Sequence, residues 1–324
     1  MSVQTASRVS LFGLDPATYE PHPVHRAGRG YPQTNCYADI LVELLHAHGD
    51  EPLAALGCTL RTDFEGDQFT FFKPDPGDLE RLFGLDVHEM QPHRGLALQA
   101  AEQLAAGRAV IVELDAFHLP DTAATDYQRR HVKTSVALEA IDVAARELGY
   151  FHNAGYHELS GEDFDGAFRL GRAFDADVLP PYVELARFDA GERLEGDVLR
   201  AAARELSRAH LARRPASNPF ERFGARLEAD LPALVAGDEQ GVHDYSFATV
   251  RMAGSAFELA ASHVDWLLGE DAAPASAAFG RIVEGCKVLS FRLARRRAFD
   301  PSERVAGLTA AWAEAMDALD RVLG

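Results

Sequence analysis

Cysteine is scarce in this chain: Cys36, Cys58 and Cys286 are the three thiols in 324 residues. An odd number of widely spaced cysteines makes no disulfide framework, and without a CxxC pair there is no structural zinc motif. HExxH is also missing, so no bound metal or cofactor is expected. Basic residues are outnumbered, 32 Lys and Arg against 50 Asp and Glu, giving a formal net charge of −18. Such a surface repels nucleic-acid phosphates, which removes nucleic acid from the expected partners. No apolar run of about 18 residues occurs, so no membrane span is expected. The stretch MSVQTASRVSLFGLDP lacks a basic segment followed by an apolar one and does not read as a signal peptide. Reduced thiols and the lack of a leader together point to the cytoplasm.

What is present is an ordinary globular composition, 47% hydrophobic and 25% charged, in a chain long enough for two domains. The two halves differ in pattern. Residues 1–190 mix helices and strands, whereas residues 191–324 read as helices throughout. In the first half, Cys36 opens a helical run, YADILVELLHAHG, with Ile40, Leu41, Leu44 and Leu45 at helical spacing and Gly49 as a stop. QFTFFKP reads as a strand, DPGDLERLFGL as a turn and short helix, and LALQAAEQLAAG as a helix. RAVIVELDAF, HVKTSVALEAID and GYFHNAG read as strands, although AIDVAARELG can also be read as helical, and LSGEDFDGAF reads as a helix start. A helix followed by strands is an α+β order rather than a series of βαβ units.

The second half offers about five helices. Asn218-Pro219 and Asp300-Pro301 supply cap-and-proline starts, and the helices are expected to pack as a bundle. Arg200, Arg204, Arg208, Arg213, Arg214, Arg222 and Arg226 form a basic stretch, and Arg292, Arg295, Arg296 and Arg297 another. They read either as solvated helix faces or as a dock for an acidic partner.

One constellation carries chemistry. A cysteine attacks as the thiolate, and the partial positive charge at a helix N-terminus favours that form. Cys36 stands where the helix signal begins, after PQTN. His131, at the start of a strand, is the candidate base. Asn153, at the end of the next strand, is the candidate orienter, which gives the papain-like order Cys, His, Asn. Asp142 is the rival orienter; otherwise it is a turn residue. The Cys36 backbone N–H is a natural oxyanion donor, with Gln33 or Asn35 as the second, unless PQTN is only turn and cap chemistry. His152 and His157 flank Asn153, and His88 and His93 lie close in sequence, but neither spacing makes a ligand set. Cys58 and Cys286 have apolar neighbours and read as core. Asp115 to Asp121 follow a buried strand and read as a loop near the cleft. Lys287 within a largely apolar helix either snorkels outward or faces a cleft.

The segments TNCYADILVELLHAHG, VIVELDAFHLPDT, YQRRH and GYFHNAGYHELSGEDF, in this order, resemble the N-terminal domain of the butirosin-biosynthesis (BtrH-like) acyltransferases. Those in turn resemble bacteriocin-processing, papain-like cysteine peptidases. The resemblance covers residues 30–170. The whole chain also resembles an uncharacterised bacterial family, some members of which are encoded near amino acid:carrier-protein ligases. The resemblance implies a papain-like α+β domain at 1–190 followed by an all-helical domain at 191–324. It implies that Cys36 is nucleophile, His131 base and Asn153 orienter, although the BtrH-like pattern usually has aspartate at the third position. It implies transfer of an acyl or aminoacyl group from the phosphopantetheine thioester of a carrier protein to a small-molecule amine. A hydrolase using the same site and a non-catalytic scaffold are the competing expectations.

Overall fold

The computed structural model describes residues 8–26, 28–171 and 179–324; part of the N-terminal stretch read above for a leader lies outside them. The architecture is mixed α+β, with an antiparallel sheet followed by a helical C-terminal region. The chain divides into two compact units. The first comprises the residues up to Pro23, Cys36–Pro52 and Pro76–Leu194. The second comprises Val24–Asn35, Leu53–Asp75 and Glu195–Gly324. Two segments of the first half are thus counted with the helices, where a single boundary near 190 was expected.

Among the described residues, the first unit is built on a sheet of seven strands: β1 (Val9–Ser10), β2 (Asp86–Glu89), β3 (Arg108–Asp115), β4 (Lys133–Asp142), β5 (Glu147–His152), β6 (Gly155–Ser160) and β7 (Val183–Arg187). Their order is β2-β7-β3-β4-β5-β6, with β1 paired to the end of β4. Its helices are α1 (Cys36–His48), α2 (Pro76–Phe83), α3 (Leu96–Ala105) and α4 (Glu162–Ala167). Period-2 alternation gives the sheet two faces. Val110, Val112, Val136, Leu138, Tyr150 and Val183 pack with Ala100 and Leu104 of α3 and Phe164 of α4. Ile111, Ala137, Phe151 and Glu184 occupy the other face, which α1 covers. Ile40, Leu41, Leu44 and Leu45 of α1 are essentially inaccessible. Even Glu43 on this helix is buried, and it accepts from the Tyr19 hydroxyl and from the His22 backbone N–H at 3.1 Å.

The second unit contains α5 (Gly196–Ala212), α6 (Pro219–Ala236), α7 (Glu239–Ser246), a π-helical turn (Phe247–Arg251), α8 (Met252–Leu268), α9 (Ala273–Ala294) and α10 (Ser302–Leu323). Asn218 caps α6 as expected, its side chain accepting from the Phe220 N–H at 3.0 Å. QFTFFKP is not a strand: only Phe64 and Phe69 form an isolated bridge. The reason is tertiary. Phe64 and Phe69 pack their rings against α6, 5.7 and 5.6 Å from that of Phe223. Among the described residues, no helix is long and apolar enough to cross a membrane.

The basic stretch of this unit is largely spent internally. Arg204 and Arg208 donate to the Val322 and Leu323 carbonyls at the end of α10, at 2.9 and 2.8 Å, where a helix C-terminus favours cations. Arg214 makes a two-pronged pair with Asp320, and Arg200 lies over the Trp266 ring. Arg213, Arg222 and Arg226 pair with Asp75, Asp63 and Asp230.

One core histidine ties stability to pH. His263 is fully buried, with Nδ1 2.8 Å from the Leu53 carbonyl and Nε2 2.8 Å from the Ser207 hydroxyl. The carbonyl can only accept, so Nδ1 carries the proton and Nε2 is left as an acceptor facing the Ser207 hydroxyl, whose one proton is shared with the Ala203 carbonyl at 2.7 Å. Burial, and secondarily His210 nearby, pushes His263 down to about 4, against the pull of the Leu53 hydrogen bond. The unfolded chain takes up this proton below about 6.5, whereas the folded one resists it until about 4. Stability therefore falls as pH drops through that window, by up to about 1.4 kcal/mol per pH unit. Urea midpoints measured from neutral pH downward should show this loss, and His263→Gln should remove its share. An identical decline in the variant would show that other groups cause it.

Candidate active site

Cys36 is the first residue of α1 and is partly exposed, whereas Cys58 and Cys286 are buried. The direction of α1 follows from its ends. At its C-terminus the His48 ring stacks on Phe188 at 4.0 Å, just beyond the end of β7. At its N-terminus the Tyr37 hydroxyl donates to Glu184, the second residue of β7, at 2.6 Å. Strand β7 runs antiparallel to β3. Cys36 therefore lies toward the end of β3 and the start of β4, where Asp115 pairs with Lys133. Asp115 has the same parity along β3 as Ile111, which places it on the α1 side.

His131 lies two residues before β4. Its Nδ1 is 2.6 Å from Asp115 Oδ2. The carboxylate fixes Nδ1 as the protonated nitrogen and leaves Nε2 to accept a proton. Asp115 is itself held in place, because its Oδ1 accepts from the Phe117 N–H at 3.1 Å. The Phe117 ring stacks on the imidazole with centroids 4.5 Å apart and planes at 15°. The side chain of His131 is 71% exposed. Among the described residues, no hydrogen bond joins it to the Cys36 sulfur. A cavity of about 560 Å³ opens beside Asp115, bordered by Leu96, Phe168 and Arg169.

The partner of the His131 ring is thus Asp115, and not Asn153, the orienter expected from chain order. Asn153 occupies the β5–β6 hairpin turn with φ of 48°, a left-handed position that asparagine tolerates. Extending the β4–β5 register puts it level with Ser135, four residues along from His131. Among the described residues no hydrogen bond links the two. Asp142 is at the far end of β4, about 30 Å away along the strand. There it accepts from the N–H groups of Ala144 and Ala145, at 3.0 and 2.9 Å, as a turn residue. Asn35 is buried, and its Nδ2 donates to the Phe72 carbonyl at 3.0 Å. Gln33 is exposed, and its carbonyl accepts from Arg251 at 3.3 Å.

A second acid–imidazole pair sits on the opposite face of the sheet. His152 Nδ1 is 2.5 Å from Asp121 Oδ2, and Nε2 is 2.8 Å from the Thr134 hydroxyl. Tyr150 donates to the other Asp121 oxygen at 2.5 Å. The pattern has the outline of an acid–base–hydroxyl relay, but the side chains of His152 and Asp121 are only 2% and 8% exposed. Burial raises Asp121, yet its bond to His152 and the charge there outweigh burial and leave it below the usual carboxylate range. Burial lowers His157, with His152 adding to the effect. Sealed from solvent, this cluster fastens the 120s loop to the sheet. His88 is 3.0 Å from Asp86, and His93 lies beside Gln99.

A family model described as the DUF1839 N-terminal domain matches residues 20–188. A second, described as the DUF1839 C-terminal domain, matches residues 196–321. No curated protein matches the chain.

Proposed function

The chain belongs to the DUF1839 family, and we propose that its first unit is a papain-like cysteine acyl-transfer domain of BtrH-like type. The carrying observation is that a partly exposed thiol opening a helix shares one end and one face of the sheet with an Asp115-held imidazole. In this reading the Cys36 sulfur attacks the carbonyl of an acyl or aminoacyl thioester on the phosphopantetheine arm of a carrier protein. His131 Nε2 takes the thiol proton as the S–C bond forms. The tetrahedral oxyanion meets the Cys36 backbone N–H. Collapse expels the arm as a thiol, which receives the proton from His131. An amine then attacks acyl-Cys36 and gives its proton to His131, and the product amide leaves as the cysteine is re-formed. Catalytic hydrogen bonds of this kind commonly tighten only when substrate binds.

The exposure of His131, with no bond to the sulfur, favours a non-catalytic scaffold as the second reading. Iodoacetamide at neutral pH separates the two. The acyl-transfer reading expects labelling confined to Cys36 and slowed at least about tenfold in His131→Ala. Incubation with a charged carrier protein should add one acyl mass to the wild type and none to Cys36→Ala. Unchanged acylation in that variant would overturn the reading, and water rather than amine as acceptor would make the protein a hydrolase.

A further inference from the structure

We propose that a cavity in the helical unit, walled by α7, the π-helical turn and α9, binds a small organic anion with an apolar body. Its volume is about 380 Å³, within the usual range for small-molecule sites. In a chain of net charge −18, its lining is cationic: Arg251, Lys287 and Arg296 face it, with Glu239 the one carboxylate among the lining residues. Lys287 is paired with Glu284 at 2.8 Å. Arg296 donates to the Gly237 carbonyl, which leaves its charge uncompensated.

Two donors there lack acceptors among the described residues. The Tyr31 hydroxyl and Arg251 Nε are both buried without a hydrogen-bond partner. Tyr31 is only 9% exposed, and burial raises its hydroxyl far above neutrality, so it remains a donor. Buried donors in native proteins are nearly always satisfied, and a ligand acceptor would satisfy this pair. The segment carrying Tyr31 is firmly seated. Glu258 accepts from the backbone N–H groups of Gly30 and Tyr31, both at 2.7 Å. Gly254 leaves room for the phenol; a Cβ there would lie 2.4 Å from the hydroxyl oxygen.

The apolar side of the site comes from Phe247 and Phe291, 38% and 72% exposed. The π-helical turn places Arg251 with its guanidinium 5.7 Å from the Phe247 ring centroid, and such turns are frequent at functional sites. Arg251 and the Tyr31 hydroxyl would hold the anionic head, a carboxylate or a phosphate, while the two phenylalanines cover the body.

Calorimetric titration of the full chain with benzoate and with phenyl phosphate tests this, the two probes distinguishing the head groups. Saturable one-to-one binding of at least one is expected below about 10 mM. Arg251→Gln should weaken it at least about tenfold and Tyr31→Phe by about three- to tenfold, because each removes a donor to a charged acceptor. Phenol, with no anionic head at neutral pH, should bind at least about tenfold more weakly. Without probe, Tyr31→Phe should match the wild-type thermal midpoint and Arg251→Gln, which also loses its bond to the Gln33 carbonyl, should still unfold cooperatively within a few degrees of it, so that lost binding is not lost folding. The absence of saturable binding for both probes, or equal binding in both variants, overturns the proposal. Inorganic phosphate binding as tightly as phenyl phosphate would overturn its apolar part. Cys36→Ala should bind the probes normally, so this result stands or falls apart from the acyl-transfer reading.

Discussion

Asp115→Asn is expected to slow acylation of Cys36 by about 10²–10⁴-fold, while Asn153→Ala leaves it within about threefold. The first effect is large because an asparagine offers either an N–H or a weaker, neutral acceptor to His131 Nδ1. The imidazole can then place its proton on Nε2, the atom that must be free to receive one, and the imidazolium formed during reaction loses its counter-charge. The second effect is small because Asn153 shapes a hairpin turn and makes no bond to His131. Time courses of acyl-enzyme formation, followed by intact mass with a charged carrier protein, check both. A wild-type rate in Asp115→Asn would reduce the His131–Asp115 pair to a structural contact, and a large loss in Asn153→Ala would restore the order read from the chain.

Asp121→Ala is expected to destabilise the protein by about 3–5 kcal/mol in urea unfolding at neutral pH. The substitution strands the His152 ring N–H and the Tyr150 hydroxyl, both bound to Asp121 at 2.5 Å on a sealed face of the sheet. Asp121→Asn keeps the shape and some hydrogen bonding, and about 1–3 kcal/mol is expected. The folded carboxylate titrates below its ordinary range, so its contribution is present at neutral pH and is lost as pH falls through that depressed value. A loss below about 1 kcal/mol in Asp121→Ala would mean that the loop is held by other contacts.

The long elements were readable because their patterns are strong. RAVIVELDAF and HVKTSVALEAID became β3 and β4, and the five expected helical stretches all appear, one of them extended by α7 and interrupted by a π turn. Strands β1, β2, β6 and β7 escaped notice. Each is six residues or fewer, and the last three carry charges such as Asp86, Glu158 or Glu184, which blunt a propensity signal. QFTFFKP misled for the opposite reason: its aromatics have strand propensity, but helix packing claims Phe64 and Phe69. In the candidate site, the place of Cys36 at the start of a helix and of His131 just before a strand was legible from the sequence. Asp115 as partner was not, since it precedes His131 by sixteen residues and only the antiparallel register of β3 and β4 sets it beside the ring. The buried Asp121–His152 pair was hidden because its members are thirty-one residues apart, one in a loop and one at the end of β5.

Cutting the polypeptide between Leu194 and Glu195 would not release two self-sufficient pieces. The shorter product would keep Phe220 and Phe223 but lose Phe64 and Phe69, the rings that fill the space among them. The longer product would carry those rings with nothing to cover them. Expression of 195–324 alone should thus give a sticky, poorly ordered fragment, and a workable split must hand residues 24–35 and 53–75 to the helices.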